Sequence, residues 1–451
     1  MLTMKASAQV VIEHYRCPAA SLSLRLREPL SNCPGFFQFG SDITCYGRSS
    51  SGTRAKQPQF SFYDVAKDVE VDNGEVFLPF DPTEIIDNLR RERYLEAHSR
   101  IRAFAKHAYY SLRPWLSEGT RRIIQRASAM DWRELTFPHW PVDTTVEDIC
   151  ERVMLLSMAA LGVDRIPFVW FWPNGARGCV LMTHDVETES GRDFCQTLMD
   201  IDDSFGMKAA FLVIPEGRYA VPKQWLTTIR QRGFEVGVQD LNHDGRLFDD
   251  RQEFLRRAEK INRHGREWNA SGFRAAILYR RPEWLSSLDF AFDMSIPNVA
   301  HLDPQRGGCC TVFPYFIENV LELPVTTTQD YMLLNLLHQS SIEIWKTQFE
   351  QIIEKNGLAS FIVHPDYVVE PKSRGIYESL LSYLQGSGLR KQVWFALPSA
   401  INQWWRARSK MEVVADGNSW RIQGDCAEHA ILAYAKSDGD RLVYDLQMAT
   451  A

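Results

Sequence analysis

The sequence predicts an α/β fold, a (β/α) barrel of seven to eight strands occupying the middle of the chain. Three observations predict it. From Gly178 onward short apolar runs alternate with amphipathic helical patterns. There are about eight such runs, most followed by a helix, and that number favours a closed or nearly closed barrel over a doubly wound open sheet. Ionisable side chains stand at the ends of several runs, where the loops of a parallel barrel build a site.

Ahead of the barrel, residues 1–165 read as a mixed, mainly helical region. Residues 47–57 form a polar loop without periodicity. Asp81 is placed to cap a helix that opens with Pro82 and carries Ile85, Ile86 and Leu89 on one face. That pattern runs to about Leu112, before Pro114. A second helix opens on the capping box Thr144-Thr145-Val146-Glu147 and ends near Gly162, with Ile149, Val153, Leu156 and Ala160 at helical spacing.

Residues 166–409 carry the barrel. Strands are expected at 179–182, 209–214, 234–238, 271–273, 290–294, 321–323, 360–363 and 393–397. Helices are expected at 193–205, 222–231, 251–264, 282–288, 342–354, 373–384 and 399–408. Residues 410–451 then form a small β appendage. In it Asp416-Gly417 and Asp438-Gly439 are the turns of two hairpins, 411–414 with 419–423 and 430–436 with 441–446.

Composition excludes several classes. A net charge of -6 gives no electrostatic reason for a nucleic-acid or anionic-membrane partner. No stretch reaches the roughly 18 apolar residues of a membrane span. Residues 1–18 carry Glu13, His14 and Arg16, unlike a secretory leader. The nine cysteines show no CxxC pair or regular spacing, which points to a reducing compartment, and the expected location is cytoplasmic. The oligomeric state is not legible.

On this layout Asp185 and Glu187 follow the first strand, Gln239 and His243 the third and Arg274 the fourth, while Asp293 ends the fifth and His364 the seventh. Singly, each is a helix cap, a turn residue or a rim ion pair; together they line one end of the barrel.

The ordered set resembles the polysaccharide deacetylases, the NodB-homology or carbohydrate esterase family four domain, over about residues 178–397. Thr183-His184-Asp185-Val186-Glu187 is similar to a branch that writes Thr-His-Asp-Val-acid in place of Thr-Phe-Asp-Asp. The resemblance implies Asp185 as general base and Glu187 as metal ligand, two roles open to exchange. Gln239-Asp240-Leu241-Asn242-His243 occupies the place of the family's His-x-x-x-His, so Gln239 and His243 are the implied partners of Glu187 on the metal. Arg274 would orient the base, His364 would protonate the leaving group, and Asp293 would tune that imidazole.

The implied cofactor is a divalent metal, zinc in the first instance, and the implied substrate is a carbohydrate bearing N-acetyl groups. A metal polarises the acyl carbonyl, a carboxylate takes a proton from water, and an imidazolium protonates the departing nitrogen. Gln239 departs from the family pattern, since an amide oxygen is a poorer zinc ligand than imidazole. A longer Glu187, the neighbouring Asp240 or a harder ion would each compensate. Two other functions stay open, a barrel that binds glycan without turnover and an amidohydrolase acting on a small non-sugar substrate.

Overall fold

The computed structural model describes residues 4–5, 8–58, 62–95, 132–386 and 388–447. Two compact units are present, one gathering Met1–Tyr94, Asp143–Ala176 and Gln403–Ala451, the other Leu95–Val142 and Arg177–Asn402. The expected segments 1–165, 166–409 and 410–451 divide the chain differently, because the first unit takes its strands from both ends of the sequence. No helix among the described residues is long and apolar enough to cross a membrane.

The second unit is the barrel. Its strands are β1 (Gly178–Val186), β2 (Ala210–Val213), β3 (Glu235–Gln239), β4 (Gly272–Arg274), β5 (Phe292–Asp293), β6 (Tyr315–Ile317), β7 (Val320–Glu322), β8 (Leu358–Ile362) and β9 (Val393–Phe395). They lie in the order β6-β7-β5-β4-β3-β2-β1-β8, with β9 also on β1. Every pairing is parallel except the β6–β7 hairpin. β1 is buried at every residue, as a strand covered on both faces must be.

Threonine side chains draw the two ends of this order together. Past β7, Thr326 Oγ1 donates to Leu358 O at 2.6 Å and accepts from Ser360 N at 2.8 Å. Thr327 Oγ1 donates to Ser360 O at 2.8 Å. The sheet thereby curls as a barrel, and its parallel strands put their C-terminal ends on one rim. The helices follow the expected alternation, with α1 (Glu189–Ser204), α2 (Lys223–Gln231), α3 (Arg251–Trp268), α4 (Glu343–Glu354) and α5 (Pro371–Gln385). Each has an apolar buried stripe such as Phe254, Ala258 and Ile261 on α3.

In the first unit, residues expected to be mainly helical also supply six short strands. Four of them make a sheet, with Leu24–Leu26 and Glu75–Leu78 at its centre, and Gly35–Gln38 pairs Thr44–Gly47. The helix at Pro82–Arg90 starts on the Asp81 cap, whose Oδ1 accepts from Thr83 N at 2.9 Å. The expected continuation over 96–112 lies outside the described residues. The helix Thr145–Leu161 ends at Gly162 in the left-handed conformation. Its start departs from the capping box, since Asp143, not Thr144, accepts from Thr145 N at 2.9 Å.

Both C-terminal hairpins form, Glu412–Asp416 with Ser419–Gln423 and Leu432–Asp438 with Arg441–Leu446. Leu432–Asp438 also pairs antiparallel with Arg165–Val169, so this hairpin belongs to a sheet of the first unit.

Arg408 ties the same unit together. Fully buried, it donates to the carbonyls of His14, Tyr15, Val169 and Trp170, and its guanidinium lies over Phe171 and Trp405. No carboxylate pairs with it among the described residues. Burial pushes its pKa down to about 9. Arg408→Met keeps the packing and strands the carbonyls. A loss of about 1–3 kcal/mol is expected, read as a lower urea midpoint. An unchanged midpoint would mean that water replaces the guanidinium.

Candidate functional site

The site grows from the rim of the barrel. β1 delivers Asp185 at its end, and the chain leaves it at Glu187. His184, the residue before Asp185, turns away from the rim. Its Nδ1 lies 2.9 Å from Val363 O and its Nε2 3.0 Å from Asp202 Oδ2. Tyr377 OH donates to Asp202 Oδ1 at 2.5 Å. This buried network of β1, α1 and α5 explains the histidine of the first motif as a support, not a reactant.

Asp185 is gripped at both oxygens. Arg274 Nη1 donates to Oδ1 at 2.6 Å, and Gln239 Nε2 donates to Oδ2 at 3.2 Å. Arg274 is itself fixed, with Nη1 also on Thr183 Oγ1 at 2.8 Å and Nε on Met294 O at 2.8 Å. A carboxylate so held keeps one orientation and still has lone pairs to accept a proton.

Glu187, half-buried, stands between two imidazoles. Its Oε1 is 2.8 Å from His243 Nε2 and 3.6 Å from His364 Nε2. Burial would raise this carboxyl, but His243, His364 and Arg218 prevail and hold it well below the usual range. His243 is shifted upward, as Glu187 outweighs a burial that disfavours its charge. The backbone here is strained, with left-handed φ of 51° at Asp240 and 57° at His243. Arg218 Nη2 holds the turn by donating to His243 O at 2.9 Å.

His364 follows β8. Its Nδ1 lies 2.6 Å from Asp330 Oδ1, and its backbone N donates to Asp330 Oδ2 at 2.7 Å. Burial alone would lower this imidazole. Asp330, with Glu187 and Asp185, overrides it and brings the pKa to about 10. The half-buried rings of Tyr367 and Tyr331 stand beside it, Tyr367 at 5.3 Å from His364 and 5.6 Å from Tyr331.

Six of the seven expected residues therefore converge: Asp185, Glu187, Gln239, His243, Arg274 and His364. Asp293 needs correction. It ends β5 buried, accepts from Ser295 Oγ at 2.7 Å, and does not serve His364. The carboxylate that does is Asp330, at the start of the helical turn that follows β7 and leads into Met332–Leu336. Asp366 is a second omission; its Oδ2 accepts from Glu187 N at 3.0 Å and its Oδ1 from Thr188 Oγ1.

Several large aromatic side chains serve packing. Phe168, Trp170, Phe171 and Trp172 are buried in the first unit. Trp284 packs on Phe248 and Phe254, and Tyr279 is buried. Cys309 and Cys310 are buried.

Neither a family model nor a curated protein sequence matches the chain. Solved structures do. A "putative polysaccharide deacetylase" from Mycobacterium smegmatis is similar at TM-score 0.44 and 18% identity, over 56% of this chain and 98% of that one. PuuE allantoinase is similar at TM-score 0.40 and 12% identity, over 52% and 92%. The Xyl-CE4 domain of a multidomain xylanase from the hindgut metagenome of Trinervitermes trinervoides is similar at TM-score 0.34 and 10% identity, over 52% and 94%.

Whether the residues suit a metal is decided by their donor atoms. Among the described residues no three His, Cys, Asp or Glu side chains form a metal cluster. Yet Gln239 Oε1 and Asp240 Oδ2 are buried without a hydrogen-bond partner, and His243 Nε2, also buried, faces only Glu187 Oε1 at 2.8 Å. Gln239 is oriented by its amide nitrogen on Asp185, which leaves its oxygen as the free donor atom. One carboxylate, one imidazole and one amide oxygen suit a divalent ion that accepts oxygen ligands better than they suit zinc.

Proposed function

We propose that this chain hydrolyses the N-acyl group of an acetamido sugar or polysaccharide intermediate, with a divalent, oxygen-preferring ion held by Glu187, His243 and the Gln239 amide oxygen. One observation carries the reading. Base and acid each have a dedicated partner, Asp185 on Arg274 and His364 on Asp330, and both are on the rim that holds Glu187.

Such an ion, when bound, polarises an acyl carbonyl. The chain's own residues supply the proton steps. Asp185 accepts the proton of the attacking water, its orientation set by Arg274 and Gln239. His364, protonated at neutral pH, donates from Nε2 to the departing nitrogen while Asp330 holds Nδ1. Tyr331 and Tyr367 offer ring faces beside the acid that suit a sugar.

An N-acetylglucosamine oligomer tests the reaction. Acetate release is expected with Mn²⁺ or Mg²⁺ and none after chelation; full turnover by the chelated protein would sink the mechanism. Gln239→His is expected to shift the ion preference to zinc. The gain should exceed the about 10–100-fold that even an outer partner contributes to affinity. Equal zinc content in both proteins would show that position 239 is no ligand.

A second reading is favoured by the Glu187–His243 pair at 2.8 Å, in which the two donors satisfy each other's charge. It predicts glycan binding without turnover, insensitive to His364→Ala.

A further inference from the structure

Two carboxyl groups lie buried behind the Arg274–Asp185 pair, and no step above uses them. Asp293 ends β5 and Glu322 ends β7, where they are register partners on adjacent parallel strands. Both are buried. Asp293 accepts from Ser295 twice, from Oγ at Oδ1 over 2.7 Å and from N at Oδ2 over 3.2 Å. Glu322 Oε1 accepts from Ile296 N at 2.9 Å, whereas Glu322 Oε2 is buried with no donor facing it.

As register partners on adjacent strands, both buried, the two carboxyl groups are placed to bond each other. Two ionised carboxylates have no hydrogen with which to do so. A proton on Glu322 Oε2 removes both difficulties at once, satisfying the unpartnered oxygen and supplying the bond to Asp293. The electrostatics agree: burial pushes both groups up, Glu322 well above the carboxylate range, with Asp293 adding to the push and Arg274 opposing it.

The pair also reaches the base. Its donors come from residues 295 and 296, and the preceding carbonyl, Met294 O, is the one that fixes Arg274 Nε at 2.8 Å. A doubly ionised pair would set a second negative charge near the guanidinium and compete with Asp185 for it.

We propose that Asp293 and Glu322 hold one proton between them, and that this acid–carboxylate pair is the anchor that positions Arg274 against Asp185. The consequence for catalysis rests on the reading of Asp185 as base; the shared proton does not.

Infrared difference spectroscopy at neutral pH reads the proton directly. Wild type minus Glu322→Gln should show the carbonyl band of a protonated carboxylic acid, since the amide replaces the acid as donor while keeping the fold. A difference spectrum without that band overturns the shared proton.

Crystal structures of Glu322→Gln and Glu322→Leu read the anchor. The Gln variant should keep Arg274 on Asp185, and the Leu variant should release it. If both keep it, or both lose it, the anchoring role is overturned. On the N-acetylglucosamine oligomer, the Leu variant should lose about 10²-fold in kcat with KM unchanged, and the Gln variant should keep the wild-type rate. A wild type inert on that probe overturns the proposed hydrolysis, while the infrared and crystallographic results still decide the pair.

Discussion

Asp185→Asn is expected to lower turnover by about 10²–10⁴-fold, the usual contribution of a positioned general base. It should also empty the ion site, although residue 185 is not a ligand. Arg274 Nη1 requires an acceptor, so the new amide turns its oxygen to the guanidinium and its nitrogen toward Gln239. Gln239 now presents Nε2 to that position, and two donors would face each other. The Gln239 amide must flip, and its NH₂ then occupies the place where Oε1 offered a lone pair to the cation. His364→Ala is the control, losing turnover while keeping its ion. Rate assays beside metal analysis check both. An Asp185→Asn protein with full ion content and wild-type rate would remove Asp185 from the mechanism and Gln239 from the ligand set.

Asp330→Asn is the second large expectation. Removing the carboxylate takes away the main attraction holding the His364 proton, so the imidazole falls from about 10 toward the ordinary value of roughly 6.5. A general acid works only while protonated. The alkaline limb of kcat/KM should therefore move to lower pH, with a loss of about fourfold at pH 7 that grows to about 10²-fold near pH 9.

Stability follows the same sign. A histidine whose folded pKa lies above its unfolded one stabilises the protein fully below about 6.5 and loses that contribution as pH rises through about 10. The Asn variant should show a flatter stability profile across that interval. A rate profile that does not move would mean that another group delivers the proton.

The barrel was legible because its strands are apolar runs between turn residues and helical stripes, and the observed bounds fall close to those expected. The strand expected at 179–182 runs on to Val186, because Thr183, His184 and Asp185 carry polar side chains that are all partnered inside. The hairpin strand Tyr315–Ile317 gave no signal, being three residues long and following Pro314. The short strands of the first unit were hidden likewise, since two to four residues show no period.

Site residues at strand ends, Asp185, Gln239 and Arg274 among them, could be placed by counting strands. Asp330 could not, since it stands in the polar run Thr326-Thr327-Thr328-Gln329-Asp330, where no periodicity says which acid turns inward. The strand-end rule thus chose Asp293, a true strand end whose partner is a neighbouring strand's carboxyl.

The pairing of Leu432–Asp438 with Arg165–Val169 bears on how the chain matures as it leaves the ribosome. Domains generally fold as they emerge, amino-terminal part first. Here Val393–Phe395, the last barrel strand, emerges before the partner that Arg165–Val169 awaits. The barrel has all its strands while the edge of Arg165–Val169 is still bare, and a bare strand edge is a template for wrong pairing. Nascent chains that have released residue 402 from the ribosome but not yet residue 432 are a stage at which this protein is exposed to chaperones and to self-association.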